Sequence, residues 1–412
     1  MPEQLASLRH IAPLLTEVRS LFVSGCAAQI PNLERVFTES EGKDPLTVSG
    51  IFVPGVNTVD YAAACERVRC QTYFMTPQMA SADHDRVQYC PWRYSDIVAF
   101  YRSNPVDVAL VMLSPPDPDG YCSYGVAGDF APLILPHAGI TIAVINPRMP
   151  RLAGVKVALA SLDYVLEIDS PLLETTPVRI DAVSDRIAEN VASFVGDGAT
   201  VQLGLGNIPS AVARRLFDRR KLRIQSGLVE STVLELDRAG VLCPDTPILS
   251  GVALGDQRFY EDLHENPRVL FQPVDVTHDV EAIAATESFI AINGALHVDL
   301  LGQVNSSALP DGFISGPGGL PEFVSGSLGS TGGRSIIALN ATARGGELSR
   351  IVPRLESGLV SVACADADTV VSEFGVAELR GKSVGERVQQ MIAIADPRHR
   401  ESLSKAARDI CA

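Results

Sequence analysis

One short stretch of this 412-residue sequence combines residue types that suit a negatively charged group. It runs Val201-Gln-Leu-Gly-Leu-Gly-Asn-Ile-Pro-Ser-Ala-Val-Ala-Arg-Arg-Leu216, which predicts a buried strand, a turn at Gly204 and Gly206, and a helix opening on residues 208–210. Glycine lets the backbone come close to a ligand. The first turn of a helix offers N–H groups that have no acceptor within the helix. The stretch therefore predicts a site for charge that develops on an oxygen atom.

The glycine turn alone is a weak signal. It lacks the third glycine and the downstream acid of a dinucleotide fingerprint, and it lacks the Lys-Ser/Thr ending of a phosphate-binding P-loop. Other motifs in the sequence are needed to predict what the glycine turn binds.

His297 is the side chain whose chemistry suits such a site. It lies on a predicted strand edge, and strand alternation allows it to face a cleft beside Asn293 and Asp299. A histidine near neutrality can deprotonate water, an alcohol or an amine that attacks a carbonyl carbon. A packed or salt-bridged histidine remains the open alternative. His278, in Val276-Thr-His-Asp279, is interpreted as structural.

Strands and helices alternate along the chain, which predicts parallel sheets in two open α/β domains. The residue pattern of the sequence changes near residues 170–190. We therefore predict an N-terminal domain at 1–180 and a C-terminal domain at 181–412 that carries the main site motifs. The predicted strands are Pro45–Pro54, Val106–Leu113, Ile140–Asn146, Thr200–Leu205, Thr246–Val252, Glu287–Asn293, Ser335–Leu339 and Leu359–Ala363. The predicted helices are Glu3–Val18, Asp60–Arg69, Ile180–Val195, Val212–Asp218, Thr232–Ala239 and Val384–Ile394.

Composition limits the function classes. The net charge of −15 argues against non-specific nucleic-acid binding, which needs clustered cations. No apolar run approaches the ~20 residues of a membrane span, and residues 1–10 lack the blocks of a signal peptide, so we expect a cytoplasmic protein without a membrane partner. The histidines and cysteines show no metal-ligand spacing, so no metal site is expected.

Several ordered blocks in the second half of the sequence resemble one family. They are Gly204-Leu-Gly-Asn-Ile-Pro209, Ser288-Phe-Ile-Ala-Ile-Asn-Gly-Ala-Leu-His-Val-Asp-Leu-Leu-Gly-Gln-Val-Asn305, Ile314-Ser-Gly-Pro-Gly-Gly-Leu-Pro-Glu-Phe323, Gly332-Gly-Arg-Ser-Ile-Ile-Ala-Leu339 and Val371-Ser-Glu-Phe-Gly-Val-Ala-Glu-Leu-Arg-Gly381. On these blocks the sequence is identified as a member of the acetyl-CoA hydrolase/CoA-transferase family, of the 4-hydroxybutyrate and butyrate CoA-transferase type.

The resemblance implies the CoA-transferase type of α/β fold, an acyl-CoA substrate with a small acceptor, and a homodimer. Coenzyme A would be a co-substrate, and no other cofactor is implied. The residues implied to contact the thioester, CoA or the acyl group are Gly204, Gly206, Asn207, Gly227, Asn293, Gly316, Gly318 and Gly319.

The sequence departs from the family at the attacking residue. The family motif resembles I-H-T-E-M, and its glutamate attacks the thioester, whereas this chain has Ile224-Gln-Ser-Gly-Leu228 with Gly227 in the glutamate's place. His297 likewise lies where the family has glutamate or glutamine. Glycine cannot form an acyl anhydride or an enzyme thioester. Glu230 is a nearby carboxylate that could substitute, and its alternative interpretation is a solvated acid ahead of a helix.

We therefore predict direct acyl transfer or hydrolysis from an acyl-CoA, with His297 as the base and the glycine loops as electrophilic support. A CoA-transferase that uses a displaced carboxylate such as Glu230 is the first alternative. A non-catalytic acyl-CoA-binding protein is the second.

Overall fold

The computed structural model describes residues 1–81, 85–176, 179–356 and 359–411. The strands of these residues, in chain order, are β1 (Glu3–Gln4), β2 (Ser20–Val23), β3 (Leu46–Gly50), β4 (Val68–Thr72), β5 (Val87–Tyr89), β6 (Val108–Leu113), β7 (Tyr121–Ser123), β8 (Ile140–Ile145), β9 (Ala153–Gly154), β10 (Lys156–Ala158), β11 (Tyr164–Glu167), β12 (Thr200–Leu203), β13 (Arg223–Ile224), β14 (Leu228–Val229), β15 (Ile248–Ser250), β16 (Val252–Ala253), β17 (Val269–Phe271), β18 (Phe289–Gly294), β19 (His297–Asp299), β20 (Val304–Asn305), β21 (Ala308–Leu309), β22 (Gly312–Phe313), β23 (Arg334–Ala338), β24 (Thr342–Ala343), β25 (Leu348–Ser349), β26 (Ile351–Val352), β27 (Thr369–Ser372) and β28 (Gly375–Glu378).

The α-helices are α1 (Glu34–Glu39), α2 (Pro77–Ala80), α3 (Tyr94–Ser103), α4 (Ala131–Ile134), α5 (Ala182–Ala192), α6 (Asn207–Arg214), α7 (Ser231–Arg238), α8 (Gln257–Leu263), α9 (Val274–Thr277), α10 (Val280–Ala285), α11 (Leu320–Gly329), α12 (Val384–Ala393), α13 (Pro397–Ala406) and α14 (Arg408–Cys411). Within the described ranges, no helix is both long enough and apolar enough to cross a membrane.

The chain packs into two compact units. The first contains Met1–Pro177, Ile248–Thr277 and Ile314–Gly318, and the second contains Val178–Pro247, His278–Phe313 and Gly319–Ala412. The predicted division draws one boundary at 180/181, whereas the packing assigns two later segments to the first unit. For Ile248–Thr277 the reason is strand pairing, because β17 pairs in parallel with β9 and with β15. Sequence spacing carries no sign of that pairing.

The first unit is built on an eight-stranded sheet in the order β1-β11-β8-β6-β2-β3-β4-β5. Every neighbouring pair in it is parallel. The central strand β6 is buried along its whole length, as the run Val-Ala-Leu-Val-Met-Leu requires when both faces of a sheet are covered.

The second unit is built on a six-stranded sheet in the order β13-β12-β18-β23-β27-β28. All neighbours in it are parallel except β27 and β28, which are antiparallel. Two open and mainly parallel sheets confirm the α/β fold class expected from the sequence.

Three predicted elements are wrong. Residues 3–18 form strand β1 and a 3₁₀ helix at Leu8–Leu15 that contains Pro13, because proline lacks the N–H needed inside an α-helix. Residues 60–69 do not form a helix, and their end joins β4, whose alternate residues are buried. Residues 359–363 do not form a strand, and only Val362 makes a bridge, to Val304.

Candidate active site

The glycine loop lies between the end of β12 and the start of α6. Gly206 has a φ of +118° and forms the N-cap of α6, a conformation that residues with a side chain rarely adopt. Ser210 donates its N–H to the carbonyl of Gly206, and Pro209 has no N–H. The N–H groups of Asn207 and Ile208 belong to the first turn, where the helix supplies no acceptor. The loop can thus present backbone donors to an oxyanion, as its sequence predicts.

Asn293 stands against the loop at the end of β18. Its Nδ2 donates to Oε1 of Gln202 at 2.9 Å, and Gln202 Nε2 donates to Oδ1 of Asn293 at 3.2 Å. A Cβ at Gly204 would lie 3.1 Å from that Oδ1. The buried amide pair therefore fixes Asn293 beside the loop, and Gly204 is the residue type that this spacing accommodates.

Ser226 joins the end of β13 to the end of β12. Its hydroxyl donates to the carbonyl of Leu203 at 2.9 Å and accepts from the N–H of Leu203 at 3.4 Å. Because β12, β13 and β18 are parallel, their carboxyl ends lie at one edge of the sheet. Gly227 follows Ser226 and so lies at the same edge as the glycine loop. Ser226 is used structurally here.

An imidazole fills the space beside Gly227. A Cβ at residue 227 would lie 2.8 Å from Nε2 and 2.9 Å from Cε1 of His278, closer than such atoms can approach. A Cβ at Gly319 would overlap the same ring at Nε2 and Cδ2. The ring packs on Phe323, with 4.6 Å between centroids, and His278 is 6% exposed. Burial lowers the pKa of the His278 imidazole to about 3, so the ring is uncharged at neutral pH.

Glu230 is a half-buried acid beside the loop. Its Oε2 accepts a hydrogen bond from the hydroxyl of Ser210 on α6 at 2.7 Å. The two residues line a small pocket that also includes Leu203, Gly204 and Pro209. Burial raises the pKa of the Glu230 carboxyl, and the Ser210 hydrogen bond opposes that rise. Glu230 precedes α7, but its side chain makes no capping hydrogen bond there.

His297 lies at the start of β19. That strand belongs to a three-stranded sheet with β20 and β26, in which His297 is opposite Asn305. Burial lowers the pKa of the His297 imidazole, the Arg350 guanidinium lowers it further, and the Glu356 carboxylate opposes them. Its described contacts therefore lie in this small sheet, whereas Gly204, Asn293, Gly227 and Glu230 gather at the edge of the large one.

The glycines of the 314–323 block have different structural reasons. A Cβ at Gly316 would overlap the carbonyl oxygen of Tyr73, so the backbone passes there with no room for a side chain. Gly318 has a φ of +57° and lies beside the ring of Phe74. Gly319 makes room for His278, as described above. Their contact with CoA or the acyl group stays a prediction.

Two residues of this edge were not singled out from the sequence as site residues. Gln202, which forms hydrogen bonds with Asn293, lies in the strand that precedes the glycine loop. It is a polar residue in an apolar run, and this was a usable signal. No sequence signal indicated the position of the His278 ring, because that position is defined by contacts with Gly227 and Gly319, which are distant in the sequence. Among the described residues, no group of three histidine, cysteine or acidic residues is arranged to hold a metal ion.

The sequence matches two family models over most of its length. Residues 2–174 match the acetyl-CoA hydrolase/transferase N-terminal domain, and residues 255–407 match the C-terminal domain of the same family. The chain therefore belongs to the acetyl-CoA hydrolase/transferase family and is an enzyme of the acyl-CoA transferase and hydrolase class. The glycine loop and Gly227 lie between the two matched ranges.

Individual relatives agree with this assignment. The chain is 38% identical to the 4-hydroxybutyrate coenzyme A transferase of Clostridium kluyveri, over 77% of this chain and 76% of that protein. It is 36% identical to the succinyl-CoA:cyclohexane-1-carboxylate CoA transferase of Geobacter metallireducens, over 74% and 71%. The crystal structure of RipA from Yersinia pestis has a TM-score of 0.90 at 27% identity and covers 99% of this chain and 98% of that one.

Proposed function

We propose that this enzyme transfers an acyl group directly from CoA to water or to another small acceptor, without a glutamyl intermediate at residue 227. The observation that carries the proposal is the glycine at that position, with the ring of His278 in the space a side chain would need. The relatives are named for CoA transfer, which supports an acyl-CoA as the substrate. Coenzyme A then acts as a co-substrate.

The glycine loop suits the charge that forms in such a reaction. When the acceptor oxygen bonds to the acyl carbon, negative charge moves to the carbonyl oxygen. The N–H groups of Asn207 and Ile208 have no acceptor within α6 and can donate to that oxygen, and one such donor lowers a barrier by about 3 kcal/mol. The C–S bond then breaks, the electron pair stays on sulfur, and the thiolate takes a proton to leave as CoA.

The acceptor must lose a proton as it attacks, and we propose His297 as the base, because its strand β19 begins four residues after Asn293 and so starts next to the edge where the glycine loop lies. Burial and the Arg350 guanidinium lower the pKa of the His297 imidazole and so favour its uncharged form, which is the form that accepts a proton. We expect His297→Ala to lower kcat by about 100-fold with little change in KM, because general bases contribute roughly that much. Turnover equal to that of the unaltered enzyme would exclude this role.

A second function is favoured by the position of Glu230. A carboxylate beside the glycine loop, bonded to Ser210, can replace the family glutamate as the attacking group. The enzyme would then exchange CoA between an acyl-CoA and a free carboxylate through a glutamyl thioester. Burial raises the pKa of the Glu230 carboxyl, and the carboxyl must release its proton before it attacks.

One experiment separates the two functions. The enzyme is incubated with acetyl-CoA in water alone, with small alcohols and amines, or with trideuterated acetate. The masses of the products are then measured by mass spectrometry. Borohydride treatment during turnover, followed by peptide mapping, reports any acid that carries CoA as a thioester. Direct transfer predicts an acylated acceptor or free acetate with no reduced glutamate. Deuterated acetyl-CoA and a reduced Glu230, both lost in Glu230→Gln, would establish the exchange function instead.

A further inference from the structure

His278 and two glycines form an interlocking group at the edge of the second unit's large sheet. Neither Gly227 nor Gly319 has a positive φ; Gly319 has φ −83° and ψ 6°, which most residues adopt. The backbone therefore does not require glycine at either position. The space does, because a Cβ at either one would overlap the imidazole of His278.

A capped helix and an aromatic ring adjoin the imidazole. Asp279, the next residue, caps α10 by accepting hydrogen bonds from the N–H groups of Glu281 and Ala282 at 2.9 and 3.2 Å. α10 packs on α11, where a Cβ at Gly326 would lie 2.5 Å from Ile283. Phe323 of α11 packs on the imidazole itself. The helix cap thus fixes the backbone next to His278, and Phe323 contacts its ring.

We propose that His278 determines which nucleophile attacks the thioester, because its ring occupies the volume that an attacking side chain at residue 227 would need. The inference rests on the proposed function, in which no enzyme-bound intermediate forms at that residue. His278 is thus a specificity-determining residue: it excludes one reaction and leaves attack to the acceptor.

Removing the ring and restoring a carboxylate should change the reaction. With Gly227→Glu and His278→Ala together, a carboxylate oxygen can bond to the acyl carbon while the C–S bond breaks and CoA leaves as the thiolate. The thiolate then attacks the glutamyl carbonyl of the mixed anhydride, and the acyl group leaves as a free carboxylate. An added carboxylate reverses these steps and takes the CoA.

Four proteins test the proposal: the unaltered enzyme, Gly227→Glu, His278→Ala and the double variant. Each is given acetyl-CoA and trideuterated acetate, and the readouts are deuterated acetyl-CoA and a CoA adduct on residue 227 that borohydride reduces. We expect the double variant to exchange at least 10-fold faster than either single variant and to be the one protein with the adduct. The proposal would be overturned if the single variant Gly227→Glu formed the adduct while His278 is still present. It would also be overturned if the double variant folded but gave neither readout.

A stability cycle keeps the proposal testable if the glutamate variants fold poorly. Gly227→Ala and Gly319→Ala are each made with and without His278→Ala, and melting temperatures are compared. Gly385→Ala is the matched control, because a Cβ there has no neighbour within 4 Å. We expect both alanine substitutions to lower the melting temperature, and the loss to shrink by at least half when the ring is absent. Equal losses with and without His278 would show that the ring does not fill this space.

The unaltered enzyme distinguishes failure of the proposed function from failure of this inference. A CoA adduct on Glu230 of the unaltered enzyme would refute direct transfer, while the stability cycle would still report whether His278 closes residue 227.

Discussion

The hydroxyl of Ser210 donates a 2.7 Å hydrogen bond to Oε2 of Glu230 and so connects α6, the helix that follows the glycine loop, to the Glu230 carboxyl. The same hydroxyl lies 3.0 Å from the carbonyl oxygen of Gly206. A single residue thus touches both the loop and the carboxyl. Any role of Glu230 in the reaction should respond to a change at Ser210.

Ser210→Ala should raise the pKa of Glu230, because the hydrogen bond stabilises the charged carboxylate against the cost of its burial. If the Glu230 carboxylate acts in turnover, the acidic limb of kcat/KM should move to higher pH in the variant. The measurement is a pH profile with acetyl-CoA from pH 4.5 to 8. Ser193→Ala serves as control, because that exposed hydroxyl bonds only to the Asn190 carbonyl among its described contacts. An unmoved profile means that Glu230 does not titrate in the rate-limiting step.

Gly206→Ala should impair catalysis through backbone conformation alone. A Cβ at this position meets no atom within 4 Å, but the φ of +118° is strained for any residue with a side chain. Relief of that strain, about 1–3 kcal/mol, would turn the N–H groups of the loop away from the oxyanion. We expect kcat to fall by about 100-fold with a smaller change in KM.

Gly385→Ala again provides the comparison for Gly206→Ala, since that glycine has neither a positive φ nor a close neighbour. Steady-state kinetics on both variants give the answer. If Gly206→Ala turns over as fast as Gly385→Ala, the loop donors are not used in the rate-limiting step.

What the sequence predicts well is local. The glycine loop, α7 and α12 depend on residues close together in the chain, and the structure has them near the predicted positions. The parallel α/β class follows from the alternation of apolar strands and helices, and the topology confirms it.

What the sequence does not predict depends on distant contacts. His278 packs against Gly227 and Gly319, which lie far from it and from each other in the sequence. The residues around position 278 give no indication that its ring fills the space beside these two glycines. The strand pairing of β17 with β9 is equally invisible, because both strands are short and neither has a distinctive pattern. In the sequence, a glycine at the usual position of the nucleophile indicates only that the attacking side chain is missing. The structure shows in addition that the His278 ring occupies the space of that side chain.

The buried His278 should make the folded protein sensitive to mild acid. The unfolded chain binds a proton at this histidine below its ordinary pKa of 6.5, while the folded chain binds none until the pH nears 3. Stability from this group is therefore complete above pH 6.5 and is lost as the pH falls toward 3. The loss amounts to about 2 kcal/mol between pH 6.5 and pH 5.

Guanidinium titrations at pH 7.5 and pH 5 measure this loss. We expect His278→Gln to be less stable than the unaltered protein at pH 7.5, because its shape fits the gap less well, but to lose less stability at pH 5. His10→Gln is the control, since His10 is exposed. A loss at pH 5 as large in His278→Gln as in the unaltered protein would show that His278 is not protonated on unfolding.

Asp129 in the first unit should act in the opposite direction. Its carboxyl is buried, and burial raises its pKa from 3.8 to about 6 despite a 2.9 Å hydrogen bond from the N–H of Phe130. The folded chain therefore holds a proton that the unfolded chain has already released between pH 3.8 and pH 6. Stability from this group is present at pH 3.8 and is lost as the pH rises through 6, by about 3 kcal/mol in all.

Asp129→Asn keeps an oxygen that can accept the Phe130 hydrogen bond and removes the titrating proton. We expect the variant to be more stable than the unaltered protein at pH 7.5, by up to about 3 kcal/mol, and equal to it near pH 4. Asp119→Asn, at an exposed position, should change stability little at either pH. Because the gain appears only where the unaltered carboxyl is charged, a variant that gained equally at both pH values would point to better packing and exclude relief of a buried charge.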